Sequence, residues 1–296
     1  MKKTVFQGVA TALVTPMKPD GSIDWEAFGR LIDFQISAGV GGLVACGTTG
    51  EASTLTDEEH KQVIAFCVER ANGRVPIIAG TGSNDTQYAL ELGKYACDAG
   101  ADALLVVTPY YNKATQAGLI RMYQILADAS PKPIILYNVP SRTGVGIEPT
   151  TYRTLACHEN IVGFKEANGN ISKIVETMSY VQGQMDMYSG NDDQIVPLLA
   201  LGGKGVISVL SNVLPRETVE LCNKFFAGDV AGAAQMQYQY HALIDSLFSE
   251  VNPIPVKAAM AAMGYGSNTL RLPLTPMSED KYQVMLSHMR AAGVEV

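Results

Sequence analysis

Short apolar runs that end in Gly, Thr, Pro or Asn alternate along this chain with longer stretches of amphipathic spacing. Runs of the first kind suit buried strands and the longer stretches suit helices, so the alternation predicts repeated βα units. Eight runs fit strands: Gly8 to Thr15, Gly42 to Gly47, Pro76 to Gly82, Ala103 to Pro109, Pro133 to Val139, Ile161 to Ala167, Met185 to Gly190 and Gly205 to Ser211. Between them lie helical patterns such as Asp24 to Ser37, Thr56 to Ala71, Asp85 to Ala99, Gln116 to Ala129 and Ile171 to Val181, and Asp24, Thr56 and Asp85 stand where N-caps belong. Eight strands with intervening helices predict an α/β fold, a (β/α)8 TIM barrel over residues 1–228. Three further helical patterns, Ala231 to Phe248, Pro255 to Met263 and Glu279 to Ala292, carry no strand signal and predict a C-terminal helical appendage over residues 229–296. Packing, cover for a barrel face and an oligomer contact are all open to it.

Composition narrows the partners. Against 29 acidic residues there are 22 lysines and arginines, a net charge of -7, which leaves no basic surplus for neutralising nucleic-acid phosphates. No run reaches the ~18 to 20 apolar residues of a membrane span. The start, Met1 to Ala12, imitates a signal peptide, but Gln7, Gly8 and Thr11 dilute its apolar stretch and the barrel needs it as a first strand. The five cysteines, Cys46, Cys67, Cys97, Cys157 and Cys222, include no C-x-x-C pair, so neither a zinc ribbon nor a disulfide frame is expected and a reducing cytoplasm is the simplest setting. A small-molecule partner is the expectation.

In a barrel, function sits at the C-terminal ends of the strands. Gly42-x4-Gly47-Thr48-Thr49 superficially resembles a phosphate loop but lacks its lysine, and Leu201-Gly202-Gly203-Lys204-Gly205 precedes the eighth strand and so belongs to the opposite face, as a tight turn. His60, His158, His241 and His288 show no ligand spacing, and Asp192-Asp193 reads more readily as a helix N-cap than as a metal site, so neither a metal nor a cofactor is expected.

Lys165 stands out. A period of two over Ile161 to Ala167 puts Ile161, Gly163 and Lys165 on one face and Val162, Phe164 and Glu166 on the other. With the first face inward, Lys165 lies inside the barrel at its top, above the space left by Gly163; otherwise it is a strand-end lysine snorkelling to solvent. An unperturbed lysine (pKa ~10.4) offers almost no free amine at neutral pH. An apolar barrel interior disfavours the ammonium form, and the neutral amine can form a Schiff base with a ketone, an electron sink that needs no metal. Such chemistry needs a proton shuttle. Tyr137 near the end of the neighbouring strand suits it, as do the hydroxyls of Thr48, Thr49, Tyr110 and Tyr111, although strand tyrosines commonly only pack. Arg142, in the loop after Tyr137, is either a solvated loop arginine or a fork for a substrate carboxylate.

Taken together, Gly47-Thr48-Thr49-Gly50-Glu51, Pro109-Tyr110-Tyr111, Tyr137-Asn138-Val139-Pro140-Ser141-Arg142-Thr143-Gly144 and Gly163-Phe164-Lys165-Glu166 resemble the pyruvate-dependent class I aldolase superfamily and, within it, the dihydrodipicolinate synthase family. The resemblance runs from the first strand into the appendage. It implies a lyase that condenses pyruvate, bound to Lys165 as a Schiff base, with L-aspartate 4-semialdehyde in lysine and diaminopimelate biosynthesis. It further implies a proton relay of Thr49, Tyr137 and Tyr111, with Tyr111 supplied by a neighbouring subunit of a homo-oligomer, expected to be a tetramer. Thr48 and Thr49 would hold the pyruvate carboxylate, Arg142 that of the semialdehyde, and Gly190 and Ile207 would line the pyruvate pocket. Relatives that cleave sialic or keto-deoxy sugar acids share the lysine and tyrosine, but the lyase among them has G-S-T-G-E at the threonine hairpin and no arginine in the place of Arg142. A silent barrel that senses a keto acid would have no need of the full set. In lysine-inhibited members a regulatory cleft falls on His60, Asn84, Tyr88 and Tyr110, with Asp57 in place of a second histidine and Tyr88 in place of a glutamate, so feedback by L-lysine is expected to be weak or absent. Nothing in the sequence assigns a role to Glu51.

Overall fold

A computed structural model describes residues 2–296. Its eight strands are β1 Gly8–Ala12, β2 Gly42–Ala45, β3 Ile77–Gly80, β4 Ala103–Val107, β5 Ile134–Asn138, β6 Ile161–Glu166, β7 Asp186–Ser189 and β8 Gly205–Ser208. Each pairs in parallel with the next, and β8 returns to β1 with Val9 opposite Val206, closing the barrel. The seam is tight: a Cβ on Gly205 would stand 1.8 Å from the Gly8 carbonyl oxygen, so only glycine fits there. The strands stop short of the apolar runs that predicted them because the last residues of each run leave the ladder for the loops. Leu13 to Thr15, for example, are buried beyond the end of β1.

The helices form where caps and periodicity place them. Asp24 caps Trp25–Ser37, Thr56 opens Asp57–Ala71 in a reciprocal pairing with Glu59, and Asp85 caps Thr86–Asp98. Gln116–Ala129 and Ile171–Val181 have the predicted bounds. Beyond Gly228, the pattern that read as one helix from Ala231 to Phe248 is two, Val230–Gln239 and His241–Leu247, parted at Tyr240, whose side chain is buried in the outer core. Ile254–Ala262 and Glu279–Ala291 complete the chain. Apolar side chains of these last helices join those of the barrel's surrounding helices in one continuous cluster. The turn at Gly202–Lys204 closes the helix before β8 on the N-terminal face, with the Lys204 amide donating to the Met187 carbonyl and the Gly8 amide to that of Lys204.

Two apolar layers result, one between strands and helices and one inside the barrel, where Ala10, Ile78, Leu105, Ile135, Tyr137, Tyr188 and Ile207 meet. The strict alternation expected along β6 fails at its first residues. Ile161 belongs to the outer layer and Val162 to the inner one, because the β5–β6 register slips between Ile134 and Ile135 and sets Ile135 opposite Gly163. Beyond the slip the alternation resumes, and Lys165 faces inward, the first of its two readings.

Candidate active site

Register brings the central pair together: Tyr137 on β5 lies opposite Lys165 on β6. Lys165 is only 6% exposed, and its Nζ stands 4.3 Å from the centre of the Tyr137 ring. Gly190, at the end of β7, leaves the lysine its room; a Cβ there would meet Lys165 Cε at 3.1 Å and the Ala167 Cβ at 2.8 Å. Ile207 is fully buried in the inner cluster with Tyr137.

The next residues along the two strands are also opposite one another, on the outer face of the sheet. There Asn138 donates to both carboxylate oxygens of Glu166, at 2.9 and 3.1 Å, while Tyr152 and the Asn168 amide donate at 3.0 and 2.9 Å. Burial pushes the Glu166 carboxyl up to about 7, against hydrogen bonds that pull it down. A polar bolt thus lies directly behind the Tyr137–Lys165 pair.

A cavity of about 310 Å³ opens beside Tyr137. Thr48, Arg142 and Tyr110 also line it, and it runs on past Ala52 and Ser53 to His60 and Tyr88. The volume suits a small ligand. Neither Lys165 nor Thr49 is part of the cavity wall: Lys165 lies over the Tyr137 ring, and Thr49 follows Thr48 in the hairpin, 2% exposed. Asn84 donates to the Tyr110 carbonyl at 3.4 Å beside this arm. Tyr111 does not join the group; it is 89% exposed, with φ +68°.

The hairpin is held from far along the chain. Glu51, at φ +55° and buried, accepts from Lys257 Nζ at 2.5 Å and from the Arg271 amide at 3.2 Å. Burial pulls the Lys257 ammonium below its ordinary pKa, and the Glu51 carboxylate opposes that pull. Asn252 donates its side-chain amide to Thr49 Oγ1 at 3.1 Å, and its backbone carbonyl accepts from Arg142 Nη2 at 3.2 Å. Arg271 forks onto Glu59 with two contacts of 2.5 Å and also donates to the carbonyls of Thr54 and Gly21.

Glu51 therefore has the role that the sequence left open, and Asn252, Lys257 and Arg271 are residues that sequence reasoning missed. One signal was present: Lys257 is the lone charge in the otherwise apolar Ile254–Ala262. Asp192 departs from its reading as a helix cap. Its Oδ2 accepts the Val209 and Leu210 amides, both at 2.9 Å, so it caps the turn after β8 instead of its own helix. Among the described residues no group of three or more His, Cys, Asp or Glu side chains is placed to hold a metal.

A lysine buried near the C-terminal mouth of a (β/α)8 barrel, against a tyrosine and beside a small cavity overhung by an arginine, is the arrangement of the class I aldolase-type barrels. Comparison with known proteins narrows the class. The chain belongs to the dihydrodipicolinate synthetase family, whose model matches residues 5–292. It is 50% identical over 294 residues to the 4-hydroxy-tetrahydrodipicolinate synthase of Acetivibrio thermocellus, covering 99% of this chain and 100% of that one. A solved dihydrodipicolinate synthase from Acinetobacter baumannii, complexed with pyruvate, superposes with TM-score 0.96 at 45% identity, covering 99% of this chain and 100% of that one. A DHDPS from Cyanidioschyzon merolae with lysine bound superposes with TM-score 0.96 at 36% identity, over 99% and 100% of the two chains.

Proposed function

We propose that this protein is a 4-hydroxy-tetrahydrodipicolinate synthase, a lyase of lysine and diaminopimelate biosynthesis that condenses pyruvate with L-aspartate 4-semialdehyde on Lys165. The Lys165 amine adds to the pyruvate ketone and water leaves, forming an iminium. Loss of a methyl proton gives the enamine, whose carbon attacks the aldehyde, and ring closure by the semialdehyde's amino group releases the lysine. Tyr137, Thr49 and a Tyr111 from a neighbouring subunit carry protons, Thr48 and Thr49 hold the pyruvate carboxylate, and Arg142 meets that of the semialdehyde. Gly190 and Ile207 shape the pyruvate pocket. The observation that carries the reading is Lys165 Nζ, buried and 4.3 Å from the Tyr137 ring centre.

The exposure of Tyr111, at 89%, supports its service to another subunit of a homo-oligomer, which we expect to be a tetramer. A fully active monomer in a dilution series followed by light scattering defeats that part. No helix of the described residues is long and apolar enough to cross a membrane, and all five cysteines are free, which supports a reducing, cytoplasmic setting. Residues 1–228 serve as the catalytic barrel and 229–296 as the helical region that braces its threonine hairpin.

Borohydride added with pyruvate should inactivate the protein and leave the mass of a reduced pyruvate adduct on the peptide carrying Lys165. The absence of that adduct overturns the reading. Turnover of the semialdehyde measured beside that of sialic and keto-deoxy sugar acids separates the synthase from a sugar-acid aldolase.

A further inference from the structure

Two links join the threonine hairpin to the chain around the start of the helix Ile254–Ala262: Asn252 to Thr49 and Lys257 to Glu51. The second is an ion pair sealed from water and serves stability. The first is of another kind, because it ends on a hydroxyl of the relay. We propose that Asn252 is a positioning residue of the reaction: its carboxamide donates to Thr49 Oγ1 and so leaves that hydroxyl's own hydrogen free to enter the relay. This rests on the reading of Thr49 as a proton carrier.

A threonine hydroxyl has one hydrogen and two acceptor lone pairs. With the Asn252 N–H occupying one lone pair, Thr49 cannot spend its hydrogen on Asn252 and must donate elsewhere, which gives the relay a direction. Two further observations fit a residue kept for more than packing. Asn252 is 6% exposed, yet its Oδ1 is buried without a hydrogen-bond partner. Such an orphan is costly, and a buried apolar side chain would avoid the cost. The same residue also supplies the carbonyl that accepts from Arg142, so one position touches both the hydroxyl and the guanidinium assigned to the two substrates. That second contact is made by the backbone and survives substitution of the side chain.

The direction of the hydrogen bond makes the test sharp. In Asn252→Asp a carboxylate of similar shape can only accept; it draws the Thr49 hydrogen to itself and takes it out of the relay. Kinetics of the full-length protein should show kcat falling about a hundredfold, the scale of a lost proton-transfer group, with the KM for pyruvate within about threefold of wild type. Asn252→Ala removes the donor without adding an acceptor and should lose only about tenfold. On a Thr49→Val background the Asn252→Ala loss should vanish, since nothing remains to be oriented. An Asn252→Asp protein as active as wild type, or Asn252→Ala and Thr49→Val losses that simply multiply, overturns the proposal. If Asn252→Asp does not fold, the Asn252→Ala cycle decides alone. Borohydride trapping on the wild type is run alongside: no Lys165 adduct refutes the function itself, whereas an adduct with Asn252 variants of unchanged kcat refutes only the positioning role.

Discussion

The two sides of the cavity are built by opposite means. On one side Tyr137 and Lys165 come from adjacent strands in register, and the residues immediately after them, Asn138 and Glu166, bolt the same two strands from behind. On the other side the hairpin from Thr48 to Glu51 is fixed by Asn252 and Lys257, 203 and 206 positions beyond their partners. The wall takes its precision from strand pairing, in which one register sets both the inner and the outer pair. The hairpin has no ladder to hold it and takes its precision from buried polar contacts with the C-terminal segment.

The largest expected effect breaks the hairpin's anchor. Lys257→Met strands the Glu51 carboxylate in a dry site and should cost about 3–5 kcal/mol of unfolding free energy, measured by urea titration. Replacing both members with apolar residues of similar volume should recover most of that loss. A Lys257→Met protein as stable as wild type would show that the pair does not hold the hairpin.

The wall has a different signature, in pH. The folded-state pKa of Glu166 is raised to about 7 from an ordinary 4.5, so the folded protein keeps a proton that the unfolded chain releases. Its contribution is fully present below about pH 4.5, is lost as pH rises towards 7 and is flat above, a swing of about 3 kcal/mol. Glu166→Gln should remove this slope, so the variant gains stability relative to wild type between pH 5 and pH 8. Melting curves at the two pH values check it, and an unchanged slope refutes the burial argument.

The hairpin's side titrates the other way. Arg271 holds the Glu59 carboxyl down at about 2, so the contribution of this pair is present above about pH 4.5 and lost as pH falls towards 2. Because Glu59 is partly exposed, screening reduces the effect to about 1–2 kcal/mol. Glu59→Gln should cost that much at pH 7 and roughly a quarter of it at pH 2.5. Acid thus loosens the hairpin's side of the cavity, whereas the wall's contribution is lost as pH rises from about 4.5 to neutrality.

This contrast also explains what was legible in the sequence. The barrel was, because each βα unit repeats a local pattern, and a period of two put Lys165 and Gly163 on one face despite the slip at Val162, without deciding whether that face was the inner one. Tyr137 was legible as the neighbour of that lysine. Glu166 was assigned to the face opposite that of Lys165, but its partners Asn138 and Tyr152 are polar residues whose convergence no periodicity encodes. Asn252, Lys257 and Arg271 carried no local mark of their partners, since a contact across more than two hundred residues is set only once the barrel has closed.

The smallest expected effect concerns the arm of the cavity that continues from the hairpin past Ala52 and Ser53 to His60 and Tyr88. The C. merolae relative holds lysine, whereas here the carboxylate that an added ammonium would seek is already engaged. Asp57 accepts from Tyr88 at 3.0 Å and pairs with Lys61 at 2.6 Å. Burial and the neighbouring Asp57 push the Tyr88 phenol up to about 12, so it stays protonated and donates throughout the physiological range. His60 is buried with Nε2 2.8 Å from the Gly80 carbonyl, and burial lowers its pKa, so no change of charge there near neutral pH draws in a ligand. L-Lysine added to a steady-state assay at micromolar and then millimolar concentration should leave the rate within about twofold, because an ammonium gains little from a carboxylate that is already paired. Inhibition in the micromolar range would mean that the Tyr88–Asp57 contact yields to the ligand, and the hairpin that borders this arm would then be movable and not fixed.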